Sequence, residues 1–415
     1  MIETSPARRA AERAARQSYG KLVAYLAART GDVATAEDAL SDAFASALAS
    51  WPSQGVPRAP EAWLFAAARR RMIDMARRRR TREAADDRLI LSLEEAAGTD
   101  PVDVPDWRLR LMFACAHPAI DAAIRGPLIL QTVLGLDAAA IGAAFLTPPK
   151  AMGQRLVRAK RRIRDTGIPF RLPDRSDLPE RLDAVLEAIY AAFGAGWPDP
   201  SGLDARRQGL LDEAVWLGRV VVGLLPEEPE GLGLLALMLY ANARRAARRN
   251  TDGDYVPLSE QDPVLWDAAA IDEAERLLQR AGALGGIGRF QLEAAVQSVH
   301  AARHTNGRTD WAAIIELYDG LLAMTHSPVV AVNRAVALGE RSGPAAGLAA
   351  LGELAKDPRM AAYQPYWAAR ADLLARLGRH ASADAAYAQA ILLEPDTAVR
   401  HFLEQRRARI RPNFS

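Results

Sequence analysis

The chain has 415 residues, half of them hydrophobic, which is enough for about two to four domains and excludes wholesale disorder. No apolar run approaches the ~20 residues that span a bilayer, and the N-terminus lacks the apolar core of a signal peptide, so we expect a cytoplasmic protein without membrane contact. The single cysteine, Cys115, cannot form an internal disulfide, and its apolar helical surroundings favour a buried structural thiol.

The net charge of +2 hides a segregation of charge along the chain. Residues 1–80 carry 14 basic and 8 acidic side chains, residues 81–107 carry 2 and 8, residues 108–164 carry 10 and 2, and the remainder carries 27 and 33. Two basic segments are therefore joined by an acidic one and followed by a mildly acidic second half. If the protein binds a polyanion, the site is expected in the first 165 residues.

The first basic segment contains the helix TAEDALSDAF, which carries three carboxylates, Glu37, Asp38 and Asp42. These side chains are explained either by the positive end of the helix dipole or by a surface that docks another protein. The residues alone leave both interpretations open.

A second helix in this segment, EAWLFAAARRRMIDMARRRR, has an apolar side formed by Phe65, Met72, Ile73 and Ala76. Another side combines a tryptophan with charged residues: Trp63, Arg70, Asp74 and Arg77, flanked by Arg71 and Arg78. A tryptophan beside arginines suits a surface that stacks an unpaired base and holds its phosphates. Composition alone favours the alternative, a buried tryptophan with a solvated arginine fringe.

The acidic segment EEAAGTDPVDVPD combines low hydrophobicity, two prolines and several carboxylates, which predicts an extended linker that DNA repels. After it, PKAMGQRLVRAKRRIR predicts a helix whose buried stripe consists of Met152, Leu156, Ala159 and Ile163. The opposite face is polar: Lys150, Gln154, Arg158, Arg161 and Arg162. Thr147 is predicted as the N-cap, with Pro148 at the first helical position.

The short helix AAAIGAAF, which Asp137 can cap, precedes this basic helix, with a turn at Leu146 and Thr147. This order and spacing predict a helix-turn-helix, whose second helix would direct Lys150, Gln154, Arg158 and Arg161 towards DNA. A solvated charged face is the alternative for the basic helix taken alone.

The collinear motifs AEDALSDAFASAL, PEAWLFAAARRRMIDMARRRR, LRLMFACAHPAI and FLTPPKAMGQRLVRAKRRIRD resemble the extracytoplasmic-function sigma factors of bacterial RNA polymerase. The resemblance implies an all-α fold with region 2 at residues 1–81, an acidic linker at 82–106, and region 4 with the helix-turn-helix at 107–170. Core RNA polymerase would be bound by Glu37, Asp38 and Asp42. The minus-ten promoter element would be contacted by Trp63, Arg70, Arg71, Asp74, Arg77 and Arg78. The minus-thirty-five element would be contacted by Lys150, Gln154, Arg155, Arg158 and Arg161.

Residues 171–286 read as a helical extension that includes the segments LLDEAVWLGRVVVGLLP and EGLGLLALMLYANARRAARR. Its loop NTDGDYVPLSEQDP contains the polar positions Asp252, Gly253, Glu260, Gln261 and Asp262. The spacing does not fit a calcium-binding EF-hand, and Asp262 with Pro263 reads as an N-cap and first-turn pair.

Residues 287–415 match a tetratricopeptide-like repeat at small, aromatic and proline positions: Trp367, Ala371, Leu374, Ala383, Tyr387, Ala390 and Pro395. Aligning the second helices backwards places Leu351 and Tyr318 at the position of Tyr387. Three stacked helix pairs are expected, with HFLEQRRARIRP as a terminal cap, and such stacks form concave protein-binding surfaces. The loop signature DG…PL-EQD…WD and the segments YANARRAAR, SPVVAVNRAVAL and RADLLARLGR resemble the sigma-factor subgroup that carries this kind of extension.

No enzymatic constellation is found. His300 and His304 share a helix face at metal-ligand spacing, but no third ligand is placed by the sequence. Gly-rich phosphate loops and nucleophile motifs are absent from the sequence, so we expect a protein that is not an enzyme and uses no cofactor or metal.

The expected function is that of a sigma factor directing transcription initiation, with core RNA polymerase and promoter DNA as partners. Contact of the extension with the sigma domains, or with a regulatory protein on the repeat surface, would control it. The alternative is a polymerase-independent helix-turn-helix regulator with a peptide-sensing repeat domain, which leaves the AEDALSDAF and tryptophan–arginine helices without a purpose. A scaffold with incidental basic segments leaves the charge segregation unexplained.

Overall fold

The computed structural model describes residues 6–80, 107–145, 147–174, 176–196 and 205–410. Over these ranges the chain forms nineteen α-helices and, apart from one bridge between Arg249 and Tyr255, no β-structure, which confirms the predicted all-α fold. The predicted acidic linker, residues 82–106, lies outside the described residues. None of the described helices combines the length and apolar content needed to cross a bilayer.

The described residues form two compact units. The first contains the described residues up to Gly196 together with Ala205–Leu217, and the second runs from Gly218. Three mutually packed helices open the first unit: α1 (Pro6–Thr30), α2 (Val33–Gln54) and α3 (Pro60–Arg80). Asp32 caps α2 by accepting a hydrogen bond from the Thr35 backbone N–H at 3.1 Å. Their core is built from apolar residues at helical spacing: Leu22, Leu26, Leu40, Leu64 and Phe65.

Four further helices follow: α4 (Arg108–Cys115), α5 (Ala122–Leu134), α6 (Ala138–Ala144) and α7 (Pro149–Thr166). The predicted cap of α6 is confirmed, since Asp137 Oδ1 accepts from the backbone N–H groups of Ala139 and Ala140 at 3.0 and 2.8 Å. Cys115 is fully buried, with Sγ 3.5 Å from Thr132 Oγ1, and burial raises the pKa of its thiol to about 12. The prediction of a buried structural thiol is confirmed.

The N-terminus of α7 lies one residue later than the sequence predicts. Pro149 occupies the first helical position and Pro148 the N-cap position, so the prediction of Thr147 as N-cap is wrong. The Thr147 hydroxyl instead donates to the Phe145 carbonyl at 3.1 Å. Either proline suits a first helical turn, where no N–H is needed, so the sequence could not choose between them.

Two helices beyond residue 170 complete the first unit. Helix α8 (Leu178–Gly196) packs on α5, and its buried apolar side chains include Leu182, Val185, Leu186 and Ile189. Helix α9 (Ala205–Leu224) belongs to the first unit up to Leu217 and to the second unit beyond it.

The second unit contains ten more helices in chain order. They are α10 (Pro229–Ala243), α11 (Ala268–Ala283), α12 (Arg289–Ala301), α13 (Arg303–Asn306), α14 (Trp311–Thr325), α15 (Pro328–Ser342), α16 (Pro344–Leu354), α17 (Gln364–Arg376), α18 (His380–Leu393) and α19 (Thr397–Ile410). From α14 onwards each helix packs on the next. The helix predicted over EGLGLLALMLYANARRAARR is too long, since α10 ends at Ala243. The Ala243 carbonyl accepts a hydrogen bond from the Asp267 backbone N–H at 3.0 Å, and a 3₁₀ turn (Arg245–Arg248) follows.

The loop between α10 and α11 is held against the C-terminal helix α19. Arg249 Nη2 lies 2.9 Å from Asp396 Oδ2, and Arg406 forms an ion pair with Glu260. The Tyr255 and Phe402 rings meet edge to face at 5.4 Å. These contacts join residues that are almost 150 positions apart in sequence.

Candidate nucleic-acid interface

Helix α7 separates a buried stripe from a polar face, as the sequence predicts. Its buried side chains are Met152, Leu156, Ala159 and Ile163. Four of the predicted DNA-facing side chains lie on the exposed face: Lys150, Gln154, Arg158 and Arg161. Arg161 Nε lies 3.2 Å from Asp165 Oδ2, while within the described residues Lys150 and Arg158 take part in no ion pair. The exposed face can therefore offer several uncompensated donors to a polyanion.

Arg155 differs from these four residues. It is partly buried and lines a cavity of about 480 Å³ between α5, the start of α7 and α8. Glu187 of α8 lines the same cavity. The helical spacing alone could not show this, because part of the cavity lining comes from α8, which lies beyond residue 170.

On α3, Phe65, Met72 and Ile73 are buried as predicted, and the side chain of Ala76 lies outside the described residues. Trp63 keeps part of its surface exposed and meets the buried Trp51 ring edge to face at 5.6 Å. The charged neighbours Arg70, Arg71 and Asp74 are exposed. The side chains of Arg77 and Arg78 lie outside the described residues. The described part of this surface thus combines an accessible indole with two guanidinium groups.

The three predicted polymerase-binding carboxylates on α2 have different surroundings. Asp38 and Asp42 are exposed, and Asp42 Oδ2 accepts from Arg71 Nε at 2.7 Å. Glu37 is paired with Lys160 of α7, and each of these two side chains is only 12% exposed. Burial raises the pKa of Glu37, and the Lys160 charge opposes that shift in part. The second carboxylate oxygen, Glu37 Oε1, is buried and has no hydrogen-bond partner within the described residues.

A second ion pair lies beside the first. Arg164 Nη1 of α7 is 3.7 Å from Asp32 Oδ2, the buried carboxylate that caps α2. The first turns of α2 and the second half of α7 are therefore held together by two cation–carboxylate contacts.

Helices α1 and α5 also meet at very short range. A Cβ atom added at Gly20 would lie 1.9 Å from the Val133 carbonyl oxygen, so only glycine permits this approach. Two residues after Val133, Gly135 ends α5 with φ of 66°. The Tyr19 ring lies 3.2 Å from the position that a Cβ atom on Gly135 would occupy. The glycine in the interior of α1, where it weakens a helix, was the available sequence signal for this crossing.

The extension loop has a defined backbone. Gly253 adopts φ of 85°, and Asn250 Oδ1 accepts from the backbone N–H groups of Asp252 and Asp254 at 3.0 and 2.8 Å. Asp262 caps the 3₁₀ turn Pro263–Leu265, which confirms the predicted pair with Pro263. Gln261 is buried, and Glu260 is exposed and bound to Arg406. In the described part of the chain no group of three His, Cys, Asp or Glu side chains is placed to hold a metal.

Most of helices α1 to α3 falls within a known domain. Residues 15–82 match sigma-70 region 2, a domain of proteins that bind core RNA polymerase and promoter DNA in transcription initiation. Sigma factors are not enzymes, which confirms the prediction of a non-enzymatic protein. Residues 181–282 match a family of unknown function, DUF6596.

One relative aligns with this chain over most of both sequences. Uncharacterized protein R00370 of Rhizobium meliloti (strain 1021) is 39% identical over 384 residues, which cover 91% of this chain and 89% of the relative. The chain belongs to the same family as that protein. In this chain sigma-70 region 2 lies near the N-terminus and the DUF6596 region lies beyond it.

Proposed function

We propose that the protein is a sigma factor of the extracytoplasmic-function type, which binds core RNA polymerase in the cytoplasm and recognises and opens promoter DNA. The observation that carries the proposal beyond the region 2 match is the exposed polar face of α7, opposite a buried apolar stripe. With α6 it would form the helix-turn-helix of region 4. Arginine and glutamine can each bond a base edge through two atoms, worth about 1–3 kcal/mol of discrimination per pair.

In this proposal the minus-thirty-five element is read by Lys150, Gln154, Arg158 and Arg161. Arg155 would contact DNA only after its side chain leaves the cavity that it lines. Region 2 uses Asp38 and Asp42 towards polymerase. The minus-ten element is bound by the surface around Trp63, Arg70, Arg71 and Asp74, which Arg77 and Arg78 would extend. Partial exposure of Trp63 supports base stacking there.

The ion pair between Glu37 and Lys160 is proposed to regulate the binding of α2 to polymerase. Glu37 cannot bond to polymerase while its charge is satisfied by Lys160 and its carboxylate is nearly covered. The packing of α7 on α2 is therefore proposed to be a resting arrangement, from which α7 must leave before α2 binds polymerase. The differential affinity of polymerase for the separated form would drive that change.

The C-terminal helices are proposed to be tetratricopeptide-like repeats that receive a regulatory protein. Support comes from the three aligned positions: Leu351 and Tyr387 are buried in the helix stack, and Tyr318 packs beside the buried Ile314 and Ile315. The extension loop, by its contacts with α19, would hold the end of this stack.

The test is transcription by purified protein and bacterial core RNA polymerase on a library of genomic promoters. Specific transcripts are expected from the native chain. Arg158→Ala should lower them about tenfold at promoters that need a minus-thirty-five element, while core binding stays unchanged. Arg308→Ala is the matched control, because Arg308 is an exposed arginine with no ion pair in the described chain.

Loss of core binding in Arg158→Ala would contradict the assignment of α7 to DNA. Specific DNA binding without polymerase, and no transcripts with it, would favour the polymerase-independent regulator.

A further inference from the structure

Two partly buried arginines of the second unit, Arg244 and Arg303, have no counter-ion within the described residues. Arg244 follows the last residue of α10; its Nε and Nη2 donate to the Tyr240 carbonyl at 3.4 Å and to the side-chain oxygen of Gln297. Arg303 begins α13, and its Nη1 and Nη2 donate to the carbonyls of Ser259 and Gln261 at 3.1 and 2.8 Å. All four acceptors are neutral. Within the described residues neither guanidinium has a carboxylate partner, and both side chains are partly buried.

The charges of Arg244 and Arg303 both disfavour protonation of the neighbouring His300. Burial lowers the pKa of His300 to about 4, and the charges of Arg244 and Arg303 add to this shift. Burial likewise lowers the pKa of Arg244 to about 10, with the charges of Arg248 and Arg303 as further causes. Cations brought together away from bulk water repel one another and lose hydration, so this arrangement is costly unless something compensates it.

An unused donor lies at the same place. Trp266 is 5% exposed, and its indole Nε1–H is buried without a hydrogen-bond partner in the described chain. The Arg303 guanidinium lies over this ring, 5.2 Å from its centre. The imidazole of His300 makes a ring contact with Trp311 and no hydrogen bond within the described residues. A buried donor without an acceptor costs about 1–3 kcal/mol, which an acceptor from a ligand would recover.

We propose that Arg244, Arg303 and His300, with the Trp266 N–H, form a binding site for an anionic group, a carboxylate or a phosphate. Each guanidinium has five N–H donors and uses two of them on neutral acceptors, so three remain on each arginine. An anion would supply the missing counter-charge and accept charge-assisted hydrogen bonds. The inference does not depend on the proposed sigma-factor function, since no residue of the first unit takes part.

His300 provides a direct readout in the full-length protein. Histidine-selective NMR, with the signal assigned by His300→Gln, follows its titration in sodium phosphate, sodium acetate and sodium chloride at equal ionic strength. An anion beside the arginines should raise the pKa of His300 by at least about one unit relative to chloride. A response to phosphate alone assigns a phosphate site, and a response to acetate alone or to both assigns a carboxylate-competent site. Equal titration in all three salts would overturn the proposal.

Gln297→Glu sharpens the test and leaves every proposed anion-binding donor in place. This isosteric change would place a carboxylate against Arg244 Nη2 and supply the counter-charge internally. The Gln297→Glu variant should have a higher melting temperature than the native chain. It should bind the anion that gave the response at least tenfold more weakly, as measured by the NMR titration. Arg244→Gln should weaken binding similarly, and Arg308→Gln, at an exposed arginine, should leave it unchanged. Unchanged affinity in both Gln297→Glu and Arg244→Gln would also refute the site.

Discussion

Lys160 of α7 and Glu37 of α2 form a nearly buried ion pair between positions 123 residues apart in sequence. Removing one partner of such a pair leaves the other charge buried and unpaired, which costs about 3 kcal/mol. Lys160→Ala is therefore expected to loosen the packing of α7 on α2.

Hydrogen–deuterium exchange of α2 measures this effect. Faster exchange over the first turns of α2 is expected in Lys160→Ala and not in Lys150→Ala, which removes an exposed lysine of the same helix. If the packing is a resting arrangement, Lys160→Ala also binds core polymerase more tightly than the native chain. Equal exchange in both variants would show that the pair does not hold the two helices.

The approach of α1 to α5 gives a second prediction. Gly20→Ala places a methyl group where the Val133 carbonyl oxygen lies, so the helices must separate, at a cost of about 1–3 kcal/mol. The control is Gly194→Ala in α8, where no atom lies within 4 Å of the added methyl and helix propensity favours alanine. Thermal unfolding should show a lower melting temperature for Gly20→Ala and an equal or higher one for Gly194→Ala. A melting temperature for Gly20→Ala at or above the native value would contradict the described crossing.

Helical periodicity predicted most of what lies within single helices. The buried stripe of α7, the Asp137 cap, the buried Cys115 and the pair of Asp262 with Pro263 all follow from local spacing and are all observed. Contacts between distant segments could not be predicted in this way. Nothing in the local pattern around Glu37 indicates a partner at Lys160, and an exposed and a paired carboxylate look the same in sequence.

The same limit explains Arg155 and Arg244. The family resemblance assigns Arg155 to the DNA-contacting set, but this side chain lines a cavity to which α8 also contributes. The end of α10 depends on a backbone hydrogen bond from Asp267, more than twenty residues later, which no local propensity encodes. Arg244 therefore read as one more helical arginine, although it lies just outside the helix.

Arg108 joins α4 to α9 and gives a third prediction. Its guanidinium pairs with Glu213 and lies 3.6 Å from the centre of the Trp216 ring, with 7% of the residue exposed. A lysine can keep the charge but lacks the planar group that stacks and bonds in two directions. Arg108→Lys should therefore cost about 1 kcal/mol and Arg108→Ala about 3 kcal/mol in unfolding free energy, measured by urea titration. Equal stability of the lysine variant and the native chain would mean that stacking contributes nothing.

The C-terminal helix should respond to acid through Asp396. Burial alone would raise the pKa of this carboxyl, but hydrogen bonds from the Ala398 N–H and Arg249 outweigh it and hold the pKa below the ordinary value. A depressed pKa stabilises the folded protein above about pH 4 and this contribution disappears as pH falls through the folded value.

Asp396→Asn keeps a helix-capping side chain but removes the charge. Its melting temperature should be lower than that of the native chain at pH 7, and the difference should shrink at pH 3. Asp267→Asn is the control, because Asp267 caps α11 without an arginine partner in the described chain. A difference of the same size at both pH values would exclude the ionised carboxylate as its source.

The packing of α8 on α5 has a consequence for how this gene can change. Helix α8, whose buried apolar residues are Leu182, Val185, Leu186 and Ile189, packs on α5 and lies beyond residue 170, where the proposed region 4 ends. A recombination event that separated the two coding segments near codon 170 would expose the α8-facing surface of α5 to water in one product. In the other product it would expose the apolar face of α8. The extension is therefore expected to be inherited together with the segment before it, as one unit of selection.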